Sequence, residues 1–204
     1  MKILAIDTAT DGAAVALQVD GRIIERPVAW RSAFRETAPA VLELLRPQGI
    51  AWRDLDGIAV PAGPGSFTGL RVGAALALGI AELGGVALFA PSTLAVVAEA
   101  AGKGSAERIL ATLDARRGRR YAAVLERRGE AWTVADGPVD LEADAADRWA
   151  PGLPHACLEA PRPGGSPAAA LARLVARAPD AYRLASPADL RIVYARPATD
   201  RPAP

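Results

Sequence analysis

Val60-Pro61-Ala62-Gly63-Pro64-Gly65-Ser66-Phe67-Thr68-Gly69-Leu70-Arg71-Val72-Gly73 runs on into Ala74-Ala75-Leu76-Ala77-Leu78-Gly79-Ile80-Ala81. Pro61, Gly63, Pro64 and Gly65 extend neither a strand nor a helix, and Ser66 suits a helix N-cap. The stretch reads as a strand end, a turn over Pro61–Gly65 and a helix beyond Ser66. On that helix Leu70, Gly73, Ala74, Ala77, Leu78 and Ala81 share one face, while Val72, Ala75, Leu76, Gly79, Ile80 and Leu83 fall on others. A helix apolar on both sides must be covered on both sides. Gly69, Gly73, Ala74 and Ala77 also allow another backbone to come close. An interior glycine costs roughly 1 kcal/mol against alanine, so close approach has to offset that loss. The pattern fits two arrangements: a helix packed inside its own small α/β domain, or a seat for a partner's helix. The second expects added volume at Gly73 or Ala77 to block pairing while leaving the fold intact.

Upstream, Lys2–Asp7 reads as a buried strand ending in the polar turn Asp7-Thr8-Ala9-Thr10-Asp11-Gly12. Ala13–Val19 alternates, Asp20-Gly21 signals a hairpin, and Arg22–Ala29 returns as a third strand. Ser32 caps a helix through Arg46 with Val41, Leu42, Leu44 and Leu45 as its apolar stripe, and Pro39 either kinks it or marks its start. Leu55–Val60 is the strand that delivers the glycine-rich turn. Downstream come a strand at Val86–Phe89 and a helix at Ser92–Ala101. Strands alternating with helices give an α/β class.

Gly102-Lys103-Gly104-Ser105 marks a junction, so the expected organisation is a subdomain over 1–103, a smaller one over 104–196 and a disordered tail over 197–204. In the second part Arg108–Asp114 and Tyr121–Glu126 read as strands around the basic turn Arg116-Arg117-Gly118-Arg119-Arg120. Trp132–Val134 is a candidate third strand and His155–Leu158 a short one in a proline- and glycine-rich loop. Ser166-Pro167 opens a helix carrying Leu171, Leu174 and Val175 on one side.

The totals exclude several classes. The 204 residues are 51% apolar, enough for a real core, and 24 basic against 23 acidic residues leave a net charge of +1. No broad positive field awaits nucleic acid, so any RNA contact is local or shared. Ile3–Ile6 is too short for a signal peptide core, and Glu82 with Gly84-Gly85 interrupts the apolar run Val72–Ala90; no membrane span is expected. A lone Cys157 and a lone His155 supply neither a disulfide nor a metal ligand set. No metal and no cofactor are expected.

Gly63–Gly69 lacks the Gly-Lys-Ser/Thr of a P-loop, since Leu70-Arg71 comes after Gly69, and Ser66 lacks the Gly-x-Ser-x-Gly of a hydrolase elbow. Asp7-Thr8-Ala9-Thr10 resembles the phosphate-binding turn of the sugar-kinase, Hsp70 and actin superfamily, with Ala9 where that turn usually has glycine. Asp7, Thr8 and Thr10 therefore form a candidate degenerate nucleotide turn, against the plainer reading of Asp7 as a turn former. Arg116, Arg117, Arg119 and Arg120 are the candidate tRNA contact, against a solvated hairpin tip.

Ile6–Thr10, Gly63–Gly73, Asp114-Ala115-Arg116 with Tyr121 behind it, and Tyr194-Ala195-Arg196 together resemble the bacterial TsaB family, also called YeaZ, with Gly63–Gly73 the specific part. The resemblance implies an actin-like duplicated α/β fold with a reduced second half. It also implies a non-catalytic scaffold that pairs with a TsaD-type subunit in forming threonylcarbamoyladenosine on tRNA. It implies further that a TsaE-type ATPase joins a larger complex, that the chain forms a homodimer when alone, that tRNA is met indirectly, and that the location is cytoplasmic. TsaD, a paralogue, carries a metal-binding His-x-x-x-His on its first long helix; Arg31–Thr37 here holds no histidine. The expected partner interface is Gly69, Leu70, Gly73, Ala74, Ala77, Leu78 and Ala81, with Val41, Leu42 and Leu45 of the preceding helix. The rival reading is an autonomous ATP-dependent kinase or ATPase of the same superfamily that depends on Asp7.

Overall fold

Three antiparallel strands open the chain in the computed structural model, which describes residues 1–29, 32–102, 106–158 and 165–197. They are β1 (Ile3–Asp7), β2 (Ala14–Val19) and β3 (Arg22–Pro27). Asp20 and Gly21 turn the second corner with φ of 49° and 77°, the left-handed pair that a two-residue hairpin needs. Next come α1 (Ala33–Leu45), β4 (Gly57–Ala59), α2 (Phe67–Gly84), β5 (Ala87–Phe89) and α3 (Thr93–Ala100). β4 runs parallel to β1 and β5 parallel to β4, so the sheet order is β3-β2-β1-β4-β5.

The second half repeats the opening. β6 (Arg108–Arg116), β7 (Arg119–Arg128) and β8 (Ala131–Glu142) form an antiparallel meander, and β9 (His155–Cys157) returns parallel to β6 after α4 (Ala146–Trp149). β10 (Arg196–Pro197) lies parallel to β8 at the far edge, giving the order β10-β8-β7-β6-β9. The run β8-β7-β6-β9 has the same order and directions as β3-β2-β1-β4. This is the actin-like duplicated α/β fold, with no counterpart of β5 among the described residues of the second half.

Layering arises from alternation along the strands. Ile3, Ala5 and Ala16 face a core shared with α3, with Ile109, Ala111 and Leu125 of the second sheet, and with α5 (Pro167–Arg177), which leads into α6 (Pro179–Tyr182). Leu4, Ile6, Leu17, Ile58 and Val60 face a second core against α1 and α2. β1 is thus buried on both faces, as a near-continuous apolar strand at the centre of a sheet should be. A smaller cluster of Leu110, Ala122, Val139 and Leu141 covers the outer face of the second sheet with Ala146. Because α5 packs on β1 and β2, the two halves share one interior.

Two features depart from the sequence expectation. β8 is far longer than Trp132–Val134, because a shift of register opposite Ala122–Leu125 lets the strand run on through Asp136-Gly137-Pro138. α4 is unannounced, since among its four residues only Ala146 is buried. Of the two roles open to Pro39, the helix start falls away, since Pro39 sits inside α1. Residues 103–105 of the expected junction and 198–204 of the expected tail lie outside the described residues.

Candidate functional site

The turn after β4 places Ser66 as the N-cap of α2, its Oγ accepting from the Gly69 N–H at 3.2 Å. From there the inner face of α2 lies against the chain's own first turn. Thr8 donates its hydroxyl to the Gly69 carbonyl at 2.6 Å, and the Ser66 N–H donates to the Ala9 carbonyl at 2.9 Å. A Cβ on Gly69 would overlap the Thr8 carbonyl, and one on Gly73 would stand 2.6 Å from Thr8 Oγ1 and 3.3 Å from Val60 Cγ2. Gly69 is therefore required by the chain's own backbone, and Gly73 by the packed side chains of Thr8 and Val60.

That overturns part of the expected interface. Gly69, Leu70, Gly73, Ala74, Ala77 and Ala81 are buried in the subunit itself, as are Val41 and Leu45 of α1, while Leu78 is half-buried against the second core. The small-residue stripe serves the sheet, because only small side chains let α2 settle onto β4 and the Asp7–Gly12 turn. Of that set Val41 and Leu42 line an open groove, Val41 from its buried floor.

The groove runs between the outward faces of α1 and α2. Its wider end, about 500 Å³, is lined by Phe34, Ala38, Phe67, Arg71, Val72 and Leu76; its narrower end, about 250 Å³, by Leu42, Trp52, Gly79 and Leu83. Phe34 is 83% exposed, Leu83 84% and Phe67 56%. Large side chains left this open along one groove mark a surface meant for covering. The sequence carried a signal for it: Phe67, Arg71, Ala75, Gly79 and Leu83 recur every four residues along one stripe.

On the other side of Phe67 a cleft of about 650 Å³ separates the two hairpin tips, lined among others by Thr10, Gly12, Ser66, Thr112, Arg120, Tyr121 and Cys157. Asp7 sits behind its first wall, wholly buried. Its Oδ1 accepts from the Ala9 N–H at 2.9 Å and its Oδ2 from the Thr10 hydroxyl at 2.5 Å. Burial pushes its pKa up to about 6, against the downward pull of those hydrogen bonds. Thr8, by its bond to Gly69, is equally committed. His155 Nε2 lies 2.8 Å from Thr112 Oγ1, so the one histidine is tied into the second sheet.

Two of the four arginines of the basic turn are neutralised in place. Arg116 pairs with Asp11 across the cleft and with Asp114 beside it, and Arg119 pairs with Asp140 at 2.8 Å and with Glu142. Arg120 points back to Thr112 Oγ1 at 3.3 Å. Of the four candidates, Arg117 and Arg120 have no ion-pair partner among the described residues, Arg117 exposed and Arg120 half-buried.

Sequence relatives point the same way as the fold. The chain is 39% identical over 129 residues to the tRNA threonylcarbamoyladenosine biosynthesis protein TsaB of Escherichia coli K12, covering 62% of this chain and 56% of that one. To TsaB of Bacillus subtilis it is 34% identical over 128 residues, with the same coverage. The chain thus spans about half the length of the curated relatives it matches. YeaZ from Pseudomonas aeruginosa superposes with a TM-score of 0.73 at 25% identity, over 95% of this chain and 99% of that one. A crystal structure of an uncharacterized protein with similarity to peptidase YeaZ from Pseudomonas aeruginosa gives 0.75 at 26%, over 95% and 98%. The model of the TsaD family, tRNA N6-adenosine threonylcarbamoyltransferase, matches residues 27–165, more than half the chain. The chain belongs to the TsaD family, in its TsaB/YeaZ branch.

TsaD-family chemistry raises the question of a metal, and the donors present do not fit one. Both Asp7 oxygens already accept hydrogen bonds within the turn, and the carboxyl is wholly buried. Among the described residues no group of three His, Cys, Asp or Glu side chains converges. Residue 31 of the stretch compared with the TsaD histidines lies outside the described residues.

Proposed function

We propose that this chain is a non-catalytic scaffold subunit that pairs with a TsaD-type transferase in forming threonylcarbamoyladenosine on tRNA. The observation that carries the reading is the open apolar groove between α1 and α2, flanked by Phe34, Phe67 and Leu83. A paralogue built on the same opening of strands and helices offers a matching helix pair. The same face lets two copies of this chain pair when the partner is absent, and a TsaE-type ATPase joins the larger assembly. The reaction is cytoplasmic, and tRNA is reached through the partner. The closed Asp7–Thr10 turn supports this reading over an autonomous ATPase, since its carboxylate and both threonine hydroxyls are used internally.

Two measurements test it. Co-purification with the TsaD-type and TsaE-type proteins of the same cell, then tRNA modification assays with each omitted, should show modification collapsing without this chain; undiminished modification overturns the assignment. Phe34→Asp and Leu83→Asp should each weaken pairing by about tenfold or more, as truncated or charged hot spots do, with an unchanged melting temperature.

A further inference from the structure

The Tyr194-Ala195-Arg196 motif is built against one end of the α1–α2 groove. The segment from Arg191 to Ala195 crosses the entry to α2: the Val193 N–H donates to the Ala62 carbonyl at 2.7 Å, and a Cβ on Gly63 would run into the Val193 carbonyl. Beyond it Arg196 pairs with Val139, so the strap is pinned to the second sheet by β10. Between these anchors the Tyr194 ring lies 5.7 Å from that of Phe67, tilted by 37°. The Arg71 guanidinium lies 3.5 Å from the centroid of the same Phe67 ring. Tyr194 is nevertheless 49% exposed.

Resting on the scaffold reading, we infer that this strap is part of the docking surface, and that the Phe67–Tyr194–Arg71 cluster is an anchor for the partner subunit at the cleft end of the helix pair. Aromatic side chains and arginine dominate binding energy at interfaces, and rings already held in place lose little freedom on association. Arg71 has no carboxylate partner among the described residues, and neither has the exposed Arg35 next to Phe34. The partner's matching element is therefore a helix end with an apolar side chain for the rings and an aspartate or glutamate for the arginines. An RNA would also stack on such rings, but two arginines neutralise few phosphates, and the platform continues into an apolar groove as far as Leu83. Docking on this surface requires both halves of the chain, since the strap is held by each.

The test uses the full-length chain and the TsaD-type subunit of the same cell, with affinity read by titration calorimetry. Tyr194→Ala is expected to weaken pairing by about tenfold, Tyr194→Phe to restore it, and Tyr194 to be protected from hydroxyl-radical oxidation in the complex. The protection needs no variant, so it stands even where a substitution disturbs the strap. If Phe34→Asp abolishes pairing while Tyr194→Ala leaves affinity unchanged and Tyr194 stays as reactive as in the free chain, the strap is outside the surface and the inference fails while the scaffold reading survives. If neither Phe34→Asp nor Tyr194→Ala affects pairing, both fail. Loss of affinity for a tRNA anticodon stem-loop on Tyr194→Ala, with protein pairing unchanged, would assign the platform to RNA and overturn the inference.

Discussion

Asp7 ends β1 with its carboxyl sealed beneath the turn it shapes, and its titration couples to folding. The folded carboxyl gives up its proton near pH 6, the unfolded one near 3.8, so the folded chain binds the extra proton between those values. The stability from the neutral buried carboxyl is fully present below about 3.8. It is lost as pH rises through about 6, a change on the order of 3 kcal/mol. Asp7→Asn keeps an acceptor for the Ala9 N–H and offers its amide to Thr10, without the charge. Urea unfolding at pH 4, 5, 6 and 7.5 should find the variant near parity with the parent at pH 4 and the more stable of the two at pH 7.5. Parallel curves would show that the buried charge is not what the turn works against. That Asp7 forms a turn was legible in Asp7-Thr8-Ala9-Thr10; that Thr8 also grips Gly69 was not, because nothing local relates residues 61 positions apart.

α2 shows what periodicity can and cannot decide. Its Ser66 cap, its length and its two apolar sides were legible, since each is a property of neighbouring residues. Which side meets the chain's own sheet was not, because a stripe of small residues suits a sheet as well as a partner helix. Contacts of Gly69 and Gly73 with Thr8 settle that side as the interior. Paired substitutions make the distinction measurable. Gly73→Leu drives a side chain into Thr8 and Val60, and overpacking of a core costs about 1–3 kcal/mol or more; a marked fall in melting temperature is expected. Gly79 has nothing within 4 Å of its Cβ position and lies on the open face. Gly79→Leu should therefore hold or raise the melting temperature, since leucine is the better helix former by somewhat less than the roughly 0.8–1 kcal/mol that separates glycine from alanine, while filling the narrow end of the groove and weakening pairing. Gly79→Leu with full partner affinity would remove the outward face from the interface.

Across the whole molecule the two halves differ in how much of them could be read. The first three strands, α1, the glycine-rich turn and α2 are legible from alternation, hairpin residues and caps. In the second half β8 was cut short by Asp136-Gly137-Pro138, which looks like a strand end unless the shift of register against β7 is known. The flanking strand pattern located the basic turn, but not the partners that come from the opposite hairpin and from β8. Those partners decide what the molecule can do with RNA. The net charge is +1, Arg116 and Arg119 each face two carboxylates, and Arg120 turns toward Thr112, which leaves Arg117 as the turn's outward cation among the described residues. The isolated chain should bind tRNA weakly, and a plot of log affinity against log salt should have a slope no steeper than about 1–2, the mark of one or two phosphate contacts. Arg117→Ala should flatten that slope by up to about 1. Arg119→Ala should leave the slope alone while loosening the β7–β8 pairing, visible as faster amide exchange at Asp140. A slope of about 5 or more that survives replacement of all four arginines would place an extended RNA surface elsewhere on the chain, and tRNA would then be a direct ligand of this subunit.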